Sequence, residues 1–410
     1  MVHNDSIAAD GGVCDQFYKL TPREVTFPWP ISLVHRRMKT SSGRKTKADS
    51  NGGASSGSKS ALMTILNTLD GSRRLCEQVH LSSELEQWIR HFRPEIVYTL
   101  LGDLTFIRLT QRISESFGAP TAIHFMDDWP SEIYRHGVFA PLLNSQMQSN
   151  LRQVVEAASL CLGISPAMCT AYTQRYGTRF QPFNNTLDVQ AWLRKGKREW
   201  KPGERFRIIY SGSIEANQVE ALKQVCDAAA GLRREGTDLE MRIYTPEFYA
   251  ARYANYLRNE PAVTVLPVPV TQAEVAVLFT DADLLVAAVN FDAEAVSHFR
   301  YSMPTKLPAY MLSETPILLY GPEQVEFIRS AKSSGWGFAV TSEDGEGLRD
   351  ALLRMIHNEE LRRTLAMTAR DIAVTNYDAS RVRPAFHQVL ADAAQKPRRE
   401  FAKRNEYDRV

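Results

Sequence analysis

The sequence predicts an α/β protein built as two successive parallel-sheet units. Two observations carry this. Short apolar runs of strand length alternate with helix-length segments over most of residues 90–390, the order that βαβ units produce. That alternation breaks once, at 195–205, in a charged stretch holding Pro202 and Gly203, which reads as a linker between folded units. At 410 residues the chain is long enough for two domains.

Taken in order, residues 1–37 are irregular, with Phe27, Trp29 and 31–34 suggesting one strand interrupted by prolines. Residues 39–59 are nearly free of large apolar groups, so ordering them would not repay its entropy, and they read as a mobile loop. Segments 60–70 and 82–92 look helical, the second with Leu85, Trp88, Ile89 and Phe92 on one face. A strand running into a loop is expected over 93–103, then a helix over 106–117 ended by Gly118 and a strand over 120–125. Residues 154–158 belong to a helix, 160–164 form a strand, and 166–176 form a helix ended by Gly177. Beyond the linker the expected strands are 206–211, 240–244, 263–266, 284–288, 317–320 and 338–340. Helices fall between them and at 346–357, 359–374 and 379–394. The division that follows is 1–195, a linker at 196–205, a second domain at 206–395 and a basic tail at 396–410.

Composition narrows the function classes. A hydrophobic content of 44% supports a real core, and a net charge of +2 argues against a nucleic-acid partner. Cys14, Cys76, Cys161, Cys169 and Cys226 are scattered, with no Cys-x-x-Cys and no Cys/His cluster at metal-ligand spacing. Reduced thiols in a cytoplasmic protein are the expectation. No run of about 18 apolar residues is present, and the opening residues lack the features of a signal peptide.

Three places are candidates for chemistry. In 298–322, the polar and aromatic residues Arg300, Tyr301 and Ser302 lead into Pro304, Thr305 and Lys306, then an apolar helical run holding Leu307, Tyr310 and Met311. Free N–H groups, the helix dipole and the Lys306 ammonium would converge there on a phosphate; a solvated lysine at an ordinary turn fits the residues as well. Tyr210-Ser-Gly-Ser-Ile214 sits where a strand hands over to a helix, and Gly212 permits close backbone approach to a phosphate. It is neither Gly-x-Gly-x-x-Gly nor a P-loop, and an ordinary strand-helix turn remains open. Asp127 and Asp128 stand at a strand's C-terminal edge, where open α/β sheets bind ligands; a helix cap plus a solvated carboxylate is the alternative.

The segment Ser-Met-Pro-Thr-Lys-Leu-Pro-x-Tyr-Met, followed by Pro-Ile-Leu-x-Tyr-Gly-Pro, resembles the donor-site segment of GT-B glycosyltransferases, specifically the retaining family 4. The resemblance covers most of 90–390. It includes His-Phe-Met-Asp-Asp-Trp-Pro (124–130), Gly-Ile-Ser-Pro-Ala-Met (163–168), Tyr172 with Arg175-Tyr-Gly177, Phe183-Asn-Asn with Asp188, and Tyr210-Ser-Gly-Ser-Ile214. It implies two Rossmann-like domains facing a cleft, with the donor held by the second. It implies a nucleotide-sugar substrate, a glycan or lipid-linked acceptor, no metal or other cofactor, and a role in polysaccharide or glycoconjugate assembly, in the cytoplasm or peripheral to the inner membrane. The donor-binding positions it implies are Ser211, Gly212, Ser213, Tyr244, Val268, Arg300, Ser302, Thr305 and Lys306, and the catalytic ones Asp127, Asp128 and Lys306. His298 and Arg300 precede the central segment, in reach of the donor sugar or phosphate on this reading; as lone residues, surface or core fillers are the alternative.

Three departures stand out. The family's paired glutamates fall on Tyr301 and Ala309. Its arginine and lysine after the glycine fall on Ser213 and on Asn217 or Gln218, which leaves Lys306 as the main cation. The apolar opening strand of the first domain is missing. A non-catalytic binding or scaffold relative is therefore an alternative, and a sugar-nucleotide epimerase a second.

Overall fold

The structure, a computed structural model, describes residues 2–3, 16–20, 24–26, 78–135, 140–197, 199–259, 261–269 and 271–401. The strand expected near 27–34, the loop 39–59 and the helix 60–70 lie outside the described residues, as does most of the opening segment on which the expected lack of a first strand turns. Of that opening, β1 (Val2–His3) runs parallel to β2 (Tyr18–Lys19), and β3 (Val25–Thr26) pairs antiparallel with β4 (Gln78–Val79).

The first sheet follows. Its strands are β5 (Val97–Thr99), β6 (Thr121–Phe125), β7 (Leu160–Gly163) and β8 (Phe180–Pro182), parallel and adjacent in that order. Its helices are α1 (Ser83–Phe92), α2 (Leu104–Phe117), α3 (Ala140–Ala157) and α4 (Pro166–Tyr176), and a short α5 (Val189–Leu193) leads out of the unit. The boundaries have local causes. Side chains of Ser82, Asp103 and Ser165 accept the N–H of Leu85, Phe106 and Met168, which serves donors a helix leaves unpaired at its start. Gly118 and Gly177 end α2 and α4 in the left-handed region, φ 66° and 69°. Neither β8 nor α5 was legible in advance: three residues ending in proline carry no period, and β8 exists because Phe180 pairs with Cys161.

The second sheet has six parallel strands, β9 (Phe206–Ser211), β10 (Leu239–Thr245), β11 (Val263–Pro267), β12 (Leu284–Ala288), β13 (Ile317–Tyr320) and β14 (Phe338–Val340), in the order β11-β10-β9-β12-β13-β14. Around it lie α6 (Ala216–Arg234), α7 (Glu247–Leu257), α8 (Gln272–Asp281), α9 (Ala293–Phe299), α10 (Leu307–Leu312), α11 (Glu326–Ser334), α12 (Gly345–His357) and α13 (Glu359–Asn376). Every residue of β12 and β13 is buried because helices cover both faces, which is why these strands read as unbroken apolar runs. One face packs Leu222, Val225, Met241 and Leu352; the other packs Phe279, Tyr310, Leu319 and Ala369. Strand order reverses between β9 and β12, and ligands of open α/β sheets bind outside the carboxyl ends of the strands at such a point.

The last helix, α14 (Ala379–Ala394), belongs by sequence to the second half but packs on the first sheet. Ala393 meets Ala122, Leu160 and Leu162, and the Phe386 ring stands edge-on to Tyr98 and Phe183. An apolar helical face shows that a helix has a partner without showing which one. Beneath Phe386, His124 Nε2 donates to the Phe183 carbonyl (3.1 Å) and Nδ1 accepts from the Tyr98 hydroxyl (2.8 Å). Burial pushes the His124 pKa down to about 4, so the ring is a neutral core group.

The stretch between the sheets is held by α13. The buried Arg362 donates to the Trp200 carbonyl through Nε (3.1 Å) and Nη2 (2.7 Å) and to the Ile356 carbonyl through Nη1 (2.9 Å). Trp200 Nε1 in turn donates to the Glu314 carbonyl at 2.9 Å. Replacing Arg362 with leucine removes charge-assisted bonds and strands buried carbonyls, so Arg362→Leu should lower unfolding free energy by about 3 kcal/mol. Urea unfolding checks this; a loss under about 1 kcal/mol would show that water serves those carbonyls equally well.

Candidate active site

The C-terminal edge of β9 ends in a turn held from several sides. The Tyr310 hydroxyl accepts the Ser211 N–H (2.8 Å) and donates to the Ser211 carbonyl (3.1 Å). The Tyr210 hydroxyl donates to the Ser213 carbonyl at 2.6 Å. Gly212, at φ 131°, takes a conformation L side chains rarely adopt, and its N–H donates to the Tyr244 carbonyl at 2.9 Å. The Val268 N–H reaches the Thr245 carbonyl at 3.3 Å, so Ser211, Gly212, Tyr244 and Val268 line one edge of the sheet.

Lys306 lies over this edge. Its Nζ is 3.7 Å from the centre of the Tyr210 ring, and a Cβ on Gly212 would stand 3.5 Å from its Cδ and 3.7 Å from its Nζ. A cation on a ring face is attracted by the ring quadrupole. Burial pushes the Lys306 pKa down to about 7, with Glu215 pulling it the other way. The side chain is half-buried, not the exposed lysine of an ordinary turn. The helix contributes less than the sequence suggests. α10 has only six residues, the Leu307 N–H is taken by the Pro304 carbonyl (3.0 Å), and Pro308 has no N–H. The lysine and the glycine turn, rather than a helix end, are what face the edge. Thr305 and Arg300 are exposed, while Ser302 is buried, its hydroxyl donating to the His298 carbonyl at 3.1 Å. Ser213 is exposed in the turn itself.

The two aspartates after β6 part ways. Asp128 is buried; its Oδ1 accepts from the Tyr172 hydroxyl (2.6 Å) and Arg175 Nη1 (2.9 Å), and its Oδ2 from Arg175 Nη2 (3.4 Å). Its oxygens are spent on α4, which also explains Tyr172 and Arg175. Asp127 accepts the Trp129 N–H at 3.2 Å and no other hydrogen bond among the described residues, and burial raises its pKa. In the same turn Glu132, which sequence reading passed over, reaches the second unit: its Oε2 meets His298 Nδ1 at 2.8 Å. His298 Nε2 faces Glu215 Oε2 at 3.6 Å. Arg135 Nη2 donates to Ser297 Oγ (2.7 Å), and Ser165 Oγ donates to the Tyr301 carbonyl (2.8 Å). Each of these pairs joins residues more than eighty positions apart, so no local pattern announces them.

Buried Trp129 Nε1 and Glu132 Oε1 have no hydrogen-bond partner among the described residues. No group of three His, Cys, Asp or Glu placed to hold a metal occurs among the described residues. Cys161, Cys169 and Cys226 are buried free thiols. Among the described residues no helix is long and apolar enough to cross a membrane. An open recess of about 780 Å³ lies at the opposite edge of the second sheet, but its charges pair with one another, as Arg207 with Glu240 and Lys197 with Asp283 do.

No protein-family model and no curated protein matches the chain in sequence. Solved structures do match in shape. Sucrose-phosphate synthase of Thermosynechococcus elongatus superposes with TM-score 0.55 at 12% identity, covering 75% of each chain. Anabaena HepE, solved in complex with UDP and glucose, gives 0.54 at 16% identity, covering 76% of this chain and 82% of its own. A UDP-forming α,α-trehalose-phosphate synthase of Burkholderia vietnamiensis gives 0.53 at 14%, covering 80% and 82%. The chain has the GT-B fold, two Rossmann-like α/β units with a parallel sheet each.

If Asp128 is a structural anchor, truncating it leaves Arg175 and the Tyr172 hydroxyl unpaired. Asp128→Ala should cost about 3 kcal/mol of stability. Thermal or urea unfolding measures it, and an unchanged midpoint would return Asp128 to the list of site carboxylates.

Proposed function

We propose that the protein is a glycosyltransferase that binds a nucleotide-sugar at the edge formed by Gly212, Tyr244 and Val268 and transfers the sugar to an acceptor lying against the Asp127–Glu132 turn. The observation that carries the reading is Lys306 standing over Gly212 at the strand-order reversal of a GT-B fold. Backbone with positive φ and no Cβ lets a diphosphate approach, and a lysine ammonium with no carboxylate within ion-pair distance among the described residues can meet it. In transfer, the bond from the anomeric carbon to the diphosphate oxygen breaks and its electron pair leaves with the phosphate. A cation already in place there stabilises the departing charge without reorganisation. Tyr244 and Val268 offer backbone groups to the base, and Arg300, Ser302, Ser213 and Thr305 surround the sugar and phosphates. Asp127, whose Oδ2 has no hydrogen-bond partner among the described residues, is the carboxylate we assign to meet a hydroxyl. The reading needs no metal, retains the anomeric configuration as the family resemblance implies, and belongs to polysaccharide or glycoconjugate assembly in the cytoplasm or at the face of the inner membrane.

A second reading, a sugar-nucleotide epimerase, is favoured by one observation: His298 stands in the cleft among Asp127, Glu132 and Glu215, the kind of groups that move a proton at a sugar carbon. Incubating the protein with UDP-sugars in D₂O separates the two, since only an epimerase washes deuterium into the sugar ring. A protein that binds no nucleotide is the scaffold relative.

Titration calorimetry with UDP tests the donor site. Lys306→Ala should weaken binding about ten- to a hundredfold, the effect of losing a charge-assisted hydrogen bond. The pH dependence has a definite sign. Lys306 is charged below about 7 and loses its proton above it, so wild-type affinity should fall as pH rises from 7 to 9. Lys306→Arg keeps its charge and should remove that fall. An Ala variant that binds as tightly as wild type removes Lys306 from the phosphate site.

A further inference from the structure

His298, in the last turn of α9, lies among three carboxylates from both units. Glu132 and Asp127 come from the turn after β6, and Glu215 comes from the start of α6. The other charged groups around this contact are Arg135, whose guanidinium donates to the neighbouring Ser297, and Lys306, which acts on Glu215. Of these contacts, His298 to Glu132 is the one that joins the two units through a group able to titrate near neutral pH.

The ring's protonation decides what it can join. The doubly protonated imidazolium donates from Nδ1 to Glu132 and presents a second N–H to Glu215. A neutral ring has one N–H. If Nδ1 keeps it, the Nε2 lone pair faces the Glu215 carboxylate at 3.6 Å; if Nε2 keeps it, a lone pair faces Glu132. Either neutral tautomer sets a lone pair against a carboxylate. We infer that His298 is a proton-operated clasp across the cleft: charged, it holds the two units together at Glu132, and neutral, it loosens them. Ser165 with Tyr301 and Arg135 with Ser297 are cross-cleft bonds that do not titrate near neutral pH, so the clasp tunes how readily the units part rather than whether they are joined.

The Glu132 hydrogen bond, first among the causes, raises the His298 pKa above its ordinary 6.5 against the opposing effect of burial. A raised pKa means the docked state favours the charged ring. The clasp is therefore at full strength below 6.5 and weakens as pH rises through the raised value. The inference concerns the ligand-free protein and holds whichever ligand the cleft takes.

Hydrogen exchange on the full chain, without nucleotide and corrected for the intrinsic pH dependence of exchange, tests it. Protection at 129–135 and 293–301 should fall roughly fivefold between pH 6 and pH 8.5, the difference between a charged and a neutral hydrogen bond, while α12 stays unchanged. His298→Gln should abolish the fall, and so should Glu132→Gln, which removes the partner from the other unit. A ring titration by NMR should place the wild-type His298 above 6.5. The clasp is overturned if wild-type protection at these segments is flat with pH, if both variants keep the wild-type slope, or if the ring titrates at or below 6.5.

Discussion

The candidate site depends on one hydroxyl. Where β9 ends, Ser211 has both backbone groups tied by the Tyr310 side chain, one donating and one accepting. A strand leaving its sheet must still satisfy its amide and carbonyl, and a phenol can serve both at once. That bond ties α10 to the end of β9. Lys306, four residues before Tyr310, is thereby set over Gly212. The lysine is presented because a tyrosine one helical turn later is anchored.

The pairing of Lys306 with the Tyr210 face has an electrostatic consequence. A ring attracts a cation but returns far less than the water it displaces, so the amine stays easy to deprotonate. Such a group is receptive to an anion, which restores the charged form. The cleft otherwise holds carboxylates, Asp127, Glu132 and Glu215, around a histidine, so its field is mixed rather than purely basic.

Asp127 and Asp128 show how little adjacency determines. Asp128 lies against α4, where Tyr172 and Arg175 hold it, while among the described residues Asp127 has a single backbone donor.

The sequence by itself determined the α/β class, the two units and every strand of the second sheet, because unbroken apolar runs such as Ile317–Tyr320 and glycine stops such as Gly118 and Gly177 are local signals. It also singled out Gly212 and Lys306, whose neighbours along the chain mark a turn. Only the tertiary structure decided that α14 crosses to the first sheet, that Asp128 is bound to α4, that the Leu307 N–H at the start of α10 is taken by the Pro304 carbonyl, and that Glu132 meets His298. All but the Leu307 bond are pairings of residues far apart in sequence. Such contacts depend on which surfaces come together when the sheets are complete, and local periodicity carries no record of that.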